Sequence, residues 1–143
     1  MANQGTYTAA GAEPASRTGA APFPQLDASY TIQPTYRVRV AIIHAAIVHS
    51  TTIRLGFTIT RGPIVIFQIW APATHPGGGA AQSLYAAAGG GHPFGVYNTA
   101  TTLTLPVGLV LLPGDIVTAK GSSYAVFDEW GPITITGDWW ISP

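Results

Sequence analysis

The chain contains no cysteine. A disulfide framework and a thiolate metal site are therefore excluded, while the redox compartment is left open. Charge is also scarce. Asp, Glu, Lys and Arg make up 8% of the 143 residues, against about 25% in an average soluble domain. Six basic residues balance six acidic ones. With no basic stripe, a phosphate backbone has nothing to bind, so nucleic acid is not an expected partner. Long apolar runs are missing as well. The most apolar stretch, 40–48, is interrupted by His44 and falls far short of the roughly 20 residues a membrane helix needs, so no membrane partner is expected. The opening MANQGTYTAAGAEPASRTG carries neither a basic nor an apolar region. No secretory signal is read there, and a soluble, cytoplasmically made chain is expected.

Hydrophobic residues are plentiful, at 47%. So many apolar residues with so little charge give weak self-repulsion in water. Large exposed apolar area usually marks an interface, so part of this surface is expected to be covered in an assembly. The length suits one domain, able to bury roughly 70% of its unfolded surface.

Residues 1–33 differ from the rest. They are rich in Ala, Gly, Pro, Ser and Thr and show no period of two or of 3.6. Pro14, Pro22, Pro24 and Pro34 resist helix and withhold backbone donors. The expectation is an extended N-terminal arm over 1–33, ordered when a partner holds it, followed by a domain over 34–143. Phe23, Leu26, Tyr30 and Ile32 are its apolar anchors and candidate partner-binding residues.

From Tyr36 the pattern is β. Tyr36, Val38, Val40 and Ile42 alternate with polar neighbours, as do Ile53, Leu55, Phe57 and Ile59. The spacing predicts turns at 49–52 and 61–63. Residues 64–70 are apolar on both faces and are expected to form a buried strand. The Gly- and Pro-rich stretch 71–100 is expected to be a long loop, with two helical turns over 80–88 on Ala, Gln and Leu propensity. Leu103, Leu105, Val107, Leu109 and Leu111 alternate again, with a bend or edge at Pro106 and Gly108. Strands are expected from 116, over 124–127 and over 133–141, with a loop at 128–132. Ile53, Leu55, Phe57, Leu103, Leu105 and Leu109 share one parity and should point inward. Seven or eight short strands without a long helix define an all-β fold: a single β-sandwich, jelly-roll-like, with the N-terminal arm outside it.

Chemistry is harder to find. His44 and His49 are five apart and face opposite sides of a strand, whereas His75 and His92 fall in the Gly-rich loop, each followed by Pro. No three or four of them form a zinc ligand set by spacing. Asp115 sits in a Leu-Pro-Gly-Asp turn, where its carboxylate can bond a nearby backbone N–H; Asp128 and Glu129 read as loop residues. Neither a nucleophile elbow nor a phosphate loop is present. Catalytic, cofactor and metal residues are therefore not assigned, and a non-enzymatic protein is expected. Trp139 and Trp140 must face opposite sides of one strand. Trp140 is the candidate outward aromatic, able to anchor a protein partner or stack on a sugar.

The block Thr51-Thr52-Ile53-Arg54-Leu55-Gly56-Phe57, the run 103–119 ending Leu112-Pro113-Gly114-Asp115-Ile116-Val117-Thr118-Ala119, and the closing Ile133-Thr134-Ile135-Thr136-Gly137 together resemble small tailed-phage virion proteins. The resemblance covers about 36–137; such proteins include capsid decoration (cement) proteins and small tail or fibre components, and the N-terminal arm favours decoration. The resemblance implies a homo-oligomer, a trimer, on the capsid surface of a virion assembled in the host cytoplasm. The implied partners are the major capsid protein or neighbouring virion subunits. It carries over no catalytic residues. A receptor- or glycan-binding tail or fibre module, using the long loop and Trp140, is the alternative.

Overall fold

The computed structural model describes residues 13–71, 74, 77–79, 81–89 and 101–141. These residues contain eleven strands. They are β1 (Glu13–Thr18), β2 (Ala28–Thr31), β3 (Tyr36–Val48), β4 (Leu55–Arg61), β5 (Ile64–Trp70), β6 (Ala81–Ala88), β7 (Thr101–Leu105), β8 (Val110–Leu111), β9 (Ile116–Gly121), β10 (Glu129–Trp130) and β11 (Thr134–Ile141). One sheet runs β1-β11-β3-β6-β7, with β8 and β10 also paired to β3; the other runs β2-β9-β4-β5. The two sheets pack against each other as a β-sandwich, the all-β class expected from the alternation.

The core lies between the sheets and follows the pleat. Val38, Val40, Ile43, Ala45 and Ile47 of β3 face Leu55, Phe57 and Ile59 of β4 and Val117 and Ala119 of β9 in one buried cluster. The predicted inward set holds. Ile53, Leu55, Phe57, Leu103 and Leu105 are buried, and Leu109 packs against the same cluster half-buried. Trp139 is buried and Trp140 half-buried on the opposite face of β11, as their adjacency requires.

Several local expectations give way. Residues 81–88 are a strand, not helical turns: β6 lies between β3 and β7, pairing antiparallel with one and parallel with the other. The small alanines suit that crowded place. Ala86 and Leu84 enter the main core, while Ala87 and Tyr85 cluster with Ile42 on the other face. Tertiary pairing here outweighs helix propensity. The 103–111 run breaks at Pro106; Gly108 takes φ 82° and Val107 is exposed. Residues 124–127 form a loop rather than a strand, and 129–130 pair with β3.

Strand β5 reverses its expected environment. It pairs only with β4 among the described residues and forms the edge of its sheet. Ile64 is 63% and Val65 53% exposed. An apolar run identifies a strand but cannot say whether a second sheet covers it.

The boundary at 33 also moves. Residues 13–18 pair with β11 from Glu13↔Trp139 to Thr18↔Thr134, and 28–31 pair with β9. Both belong to the sandwich. Residues 1–12 lie outside those described.

Candidate protein-binding site

Four turns share one construction. In each, the N–H of the fourth residue donates to the carbonyl of the first: Leu26 to Phe23 (3.3 Å), Tyr36 to Gln33 (3.2 Å), Asp115 to Leu112 (3.0 Å) and Asp128 to Ala125 (3.1 Å). The third residue takes positive φ: Gln25 63°, Thr35 76°, Gly114 86° and Phe127 73°. Proline occupies the second position in the first three, and Val126 does so in the last. This is the type II arrangement, in which proline pre-sets one angle and glycine is favoured next.

The turns at 112–115 and 125–128 match further. Asp115 accepts the Leu112 N–H at 2.8 Å, and Asp128 accepts the Ala125 N–H at 2.8 Å. Each buried carboxylate then ties its turn to the body of the domain. Asp115 takes two parallel bonds from Arg61 of β4, Nε at 2.9 Å and Nη2 at 2.7 Å, the fork geometry that arginine supplies. Asp128 accepts the Ser50 N–H at 3.0 Å and its hydroxyl at 3.3 Å. The expected turn role of Asp115 is met, and Asp128 has the same role.

The turns at 23–26 and 125–128 adjoin. The Gln25 N–H donates to the Asp128 carbonyl at 2.9 Å. Below them, the Tyr124 hydroxyl donates to Asp27 and accepts from the Gly121 N–H (2.9 Å) and from Trp130 Nε1 (2.8 Å). Burial, and then the bond to Asp27, push the Tyr124 hydroxyl above the ordinary tyrosine range. It stays neutral and serves as a fixed hub. Above this scaffold stand Phe23, 79% exposed, and Phe127, 86% exposed, with Leu26 and Val126 also exposed. Four large exposed apolar side chains are thus carried by two turns that are bonded to each other.

Of the sequence-derived candidates, Phe23 and Leu26 belong to this surface. Tyr30 and Ile32 do not: both are buried in the core of their own domain. Strand β2 carries Tyr30 inward, edge-on to Trp139 with ring centroids 6.3 Å apart. Ile32 is held by two backbone bonds, its N–H to Asp115 and its carbonyl from Gly114, each 2.9 Å. Trp140 lies on β11 opposite Arg37, away from this end. Val126 and Phe127 were not singled out from sequence. The signal was the aspartate three residues beyond Ala125, repeating the spacing of Leu112 and Asp115.

His44 stacks on Tyr85 with centroids 4.6 Å apart, and the His49 Nδ1 lies 2.7 Å from the Thr51 carbonyl. His75 and His92 lie outside the described residues. Among those described, no three of His, Asp and Glu converge in a metal-binding group. Arg39 and Asp138 pair at 2.6 Å beside a shallow cleft that also takes in Val107 and Gly108. No family model, curated protein or solved structure matches the chain.

Proposed function

We propose that the protein is a structural virion subunit, a capsid decoration protein that stabilises a phage head by binding neighbouring subunits. One observation carries the binding reading: Phe127 occupies a position where glycine would serve the turn better, and its ring stands almost wholly in water. A non-glycine residue at positive φ costs roughly 1–2 kcal/mol. An exposed ring recovers none of that by packing within its own domain. Strain of this kind clusters at sites that work on something else; Gln25 and Thr35 share the positive φ, and Phe127 is the one of the three that presents a large exposed apolar ring. The scarcity of charge and the adjoining Phe23, Leu26 and Val126 fit a partner surface that is apolar and proteinaceous. The placement on a phage head rests on the resemblance of 36–137 alone.

The test is co-sedimentation with empty heads of the virus that encodes the chain, with a glycan array run beside it. Wild-type protein should pellet with the heads, and Phe127→Gly should bind at least about tenfold more weakly, as expected for loss of a central aromatic anchor. Equal binding by the variant removes Phe127 from the contact. Glycan binding without head binding replaces decoration by the receptor-module reading.

A further inference from the structure

Strand β5 is the second apolar surface, on the sheet rather than at its end. Its seven residues, Ile-Val-Ile-Phe-Gln-Ile-Trp, include no charge and no proline. Natural sheets blunt their free edges with lysine, proline, inward charges or short strands. None of these four is present along 64–70; the one irregularity is at Ile66, which the β4–β5 register skips between Phe67 and Val65. The nearest cation, Arg61, is turned to Asp115. Phe67 and Ile69 lean into the core, opposite Ile59 and Phe57 of β4. Gln68 and Trp70 take the outer face, where the Trp70 indole covers Gly56 so closely that an added Cβ would lie 2.9 Å from the ring.

We propose that the edge of β5 left unpaired among the described residues pairs antiparallel with β5 of a second copy of this chain, about a two-fold axis at Gln68. The occupant follows from charge and register. A foreign strand would need its own complement, whereas an uncharged strand meets itself without any like-charge opposition. A two-fold axis midway between two residues would set inward side chains opposite outward ones, which a continuous sheet forbids. The axis must therefore pass through a residue. The β4–β5 register shifts between Ile59 and Thr60, so Phe67 and Val65 no longer keep one parity. An axis at Phe67 would pair Val65 with Ile69 across that irregularity. An axis at Ile69 would run the pairing into Ala71, which is buried and donates its N–H to Leu55 at 2.7 Å. An axis at Gln68 keeps the first flanking pair regular, Phe67 against Ile69 on the core face, and meets the irregularity only beyond it, at Ile66. Two four-stranded sheets would then join as one of eight strands. The contact is isologous and closes at two copies, unlike the trimer that the phage resemblance implies. It does not depend on the decoration reading.

Charge reversal at the axis tests it. Gln68 is exposed, so Gln68→Lys and Gln68→Glu should fold like the wild type, as thermal melts would verify. By sedimentation equilibrium at about 100 µM, the wild type should be dimeric. Each variant alone should dissociate at least about tenfold more readily, because the axis brings two like charges face to face. An equimolar mixture of the two variants should dimerise again. A monomeric wild type overturns the proposal. So does a dimer that both variants leave intact, since that dimer uses another surface. Failure of the mixture to re-associate overturns the axis at Gln68.

Discussion

Phe127 and Gly114 occupy the same place in two turns built alike. Each is the third residue, at φ 73° and 86°, ahead of an aspartate whose carboxylate takes the N–H of the first residue. One turn has the residue that its geometry favours, and the other has a phenylalanine.

Phe127→Gly is therefore expected to leave the fold intact and to stabilise it. Relief of the left-handed strain, about 1–2 kcal/mol, exceeds the roughly 0.5–1 kcal/mol by which glycine loosens the unfolded chain. The net gain should be on the order of 0.5–1 kcal/mol in urea unfolding. A destabilised variant would mean that the ring packs within its own domain, and the binding role would lose its basis.

Protonation of His44 should make stability depend on pH in a definable window. Burial lowers its pKa from 6.5 in the folded protein. In the unfolded chain it titrates normally. As pH falls through 6.5 the unfolded state takes up the proton first, so stability falls until the lowered pKa is passed, and no further below it. Urea midpoints at pH 7.5 and 5.5 should differ for the wild type and differ less for His44→Gln, whose amide can still reach the Ser83 hydroxyl, 3.3 Å from the imidazole Nε2. An identical loss in both proteins assigns the dependence elsewhere.

Removing residues 2–30 should damage the domain itself. Strand β1 covers Trp139: the Ala15 carbonyl accepts its indole N–H at 3.1 Å, and the Arg17 guanidinium lies 4.9 Å from its ring and 4.5 Å from that of Tyr36. The deletion also takes Ala28 and Tyr30 out of the core. A fall in Tm of at least about 10 °C is expected, given that each kcal/mol moves Tm by roughly 2–8 °C. A melt within about 2 °C of wild type would restore a separate arm over these residues.

The contrast between 53–59 and 23–32 shows what the sequence could and could not reveal. Ile53, Leu55, Phe57 and Ile59 alternate cleanly, and a half-buried strand demands just that pattern, so their burial was legible. Tyr30 and Ile32 alternate too, but over four residues between Pro24 and Pro34. The prolines suggested an unfolded arm. Both in fact set tight turns at the ends of a short strand. Strand β5 was legible as a strand and misread in environment, because hydrophobicity reports a preference for burial and says nothing of what is available to bury it. The turn that holds Phe127 is legible through the Ala125-to-Asp128 spacing, which repeats Leu112 to Asp115; the exposure of the ring is not, since positive φ at a non-glycine residue leaves no mark in a single sequence.

Strand β11 lies between β1 and β3, so residues about 120 apart in the chain are hydrogen-bonded, as Ser16 is to Thr136. Until β11 has left the ribosome, β1 lacks its one partner among the described strands and β3 lacks one of its two main neighbours. Strands β1 and β3 are made before β11 and must wait for it. High contact order of this kind slows folding into the millisecond-to-second range. During that wait a nascent chain carries two bare edges facing one gap. Truncated translation products ending before Thr134 should accordingly be the aggregation-prone species of this protein, and chaperone demand should fall on the interval before the last strand is inserted.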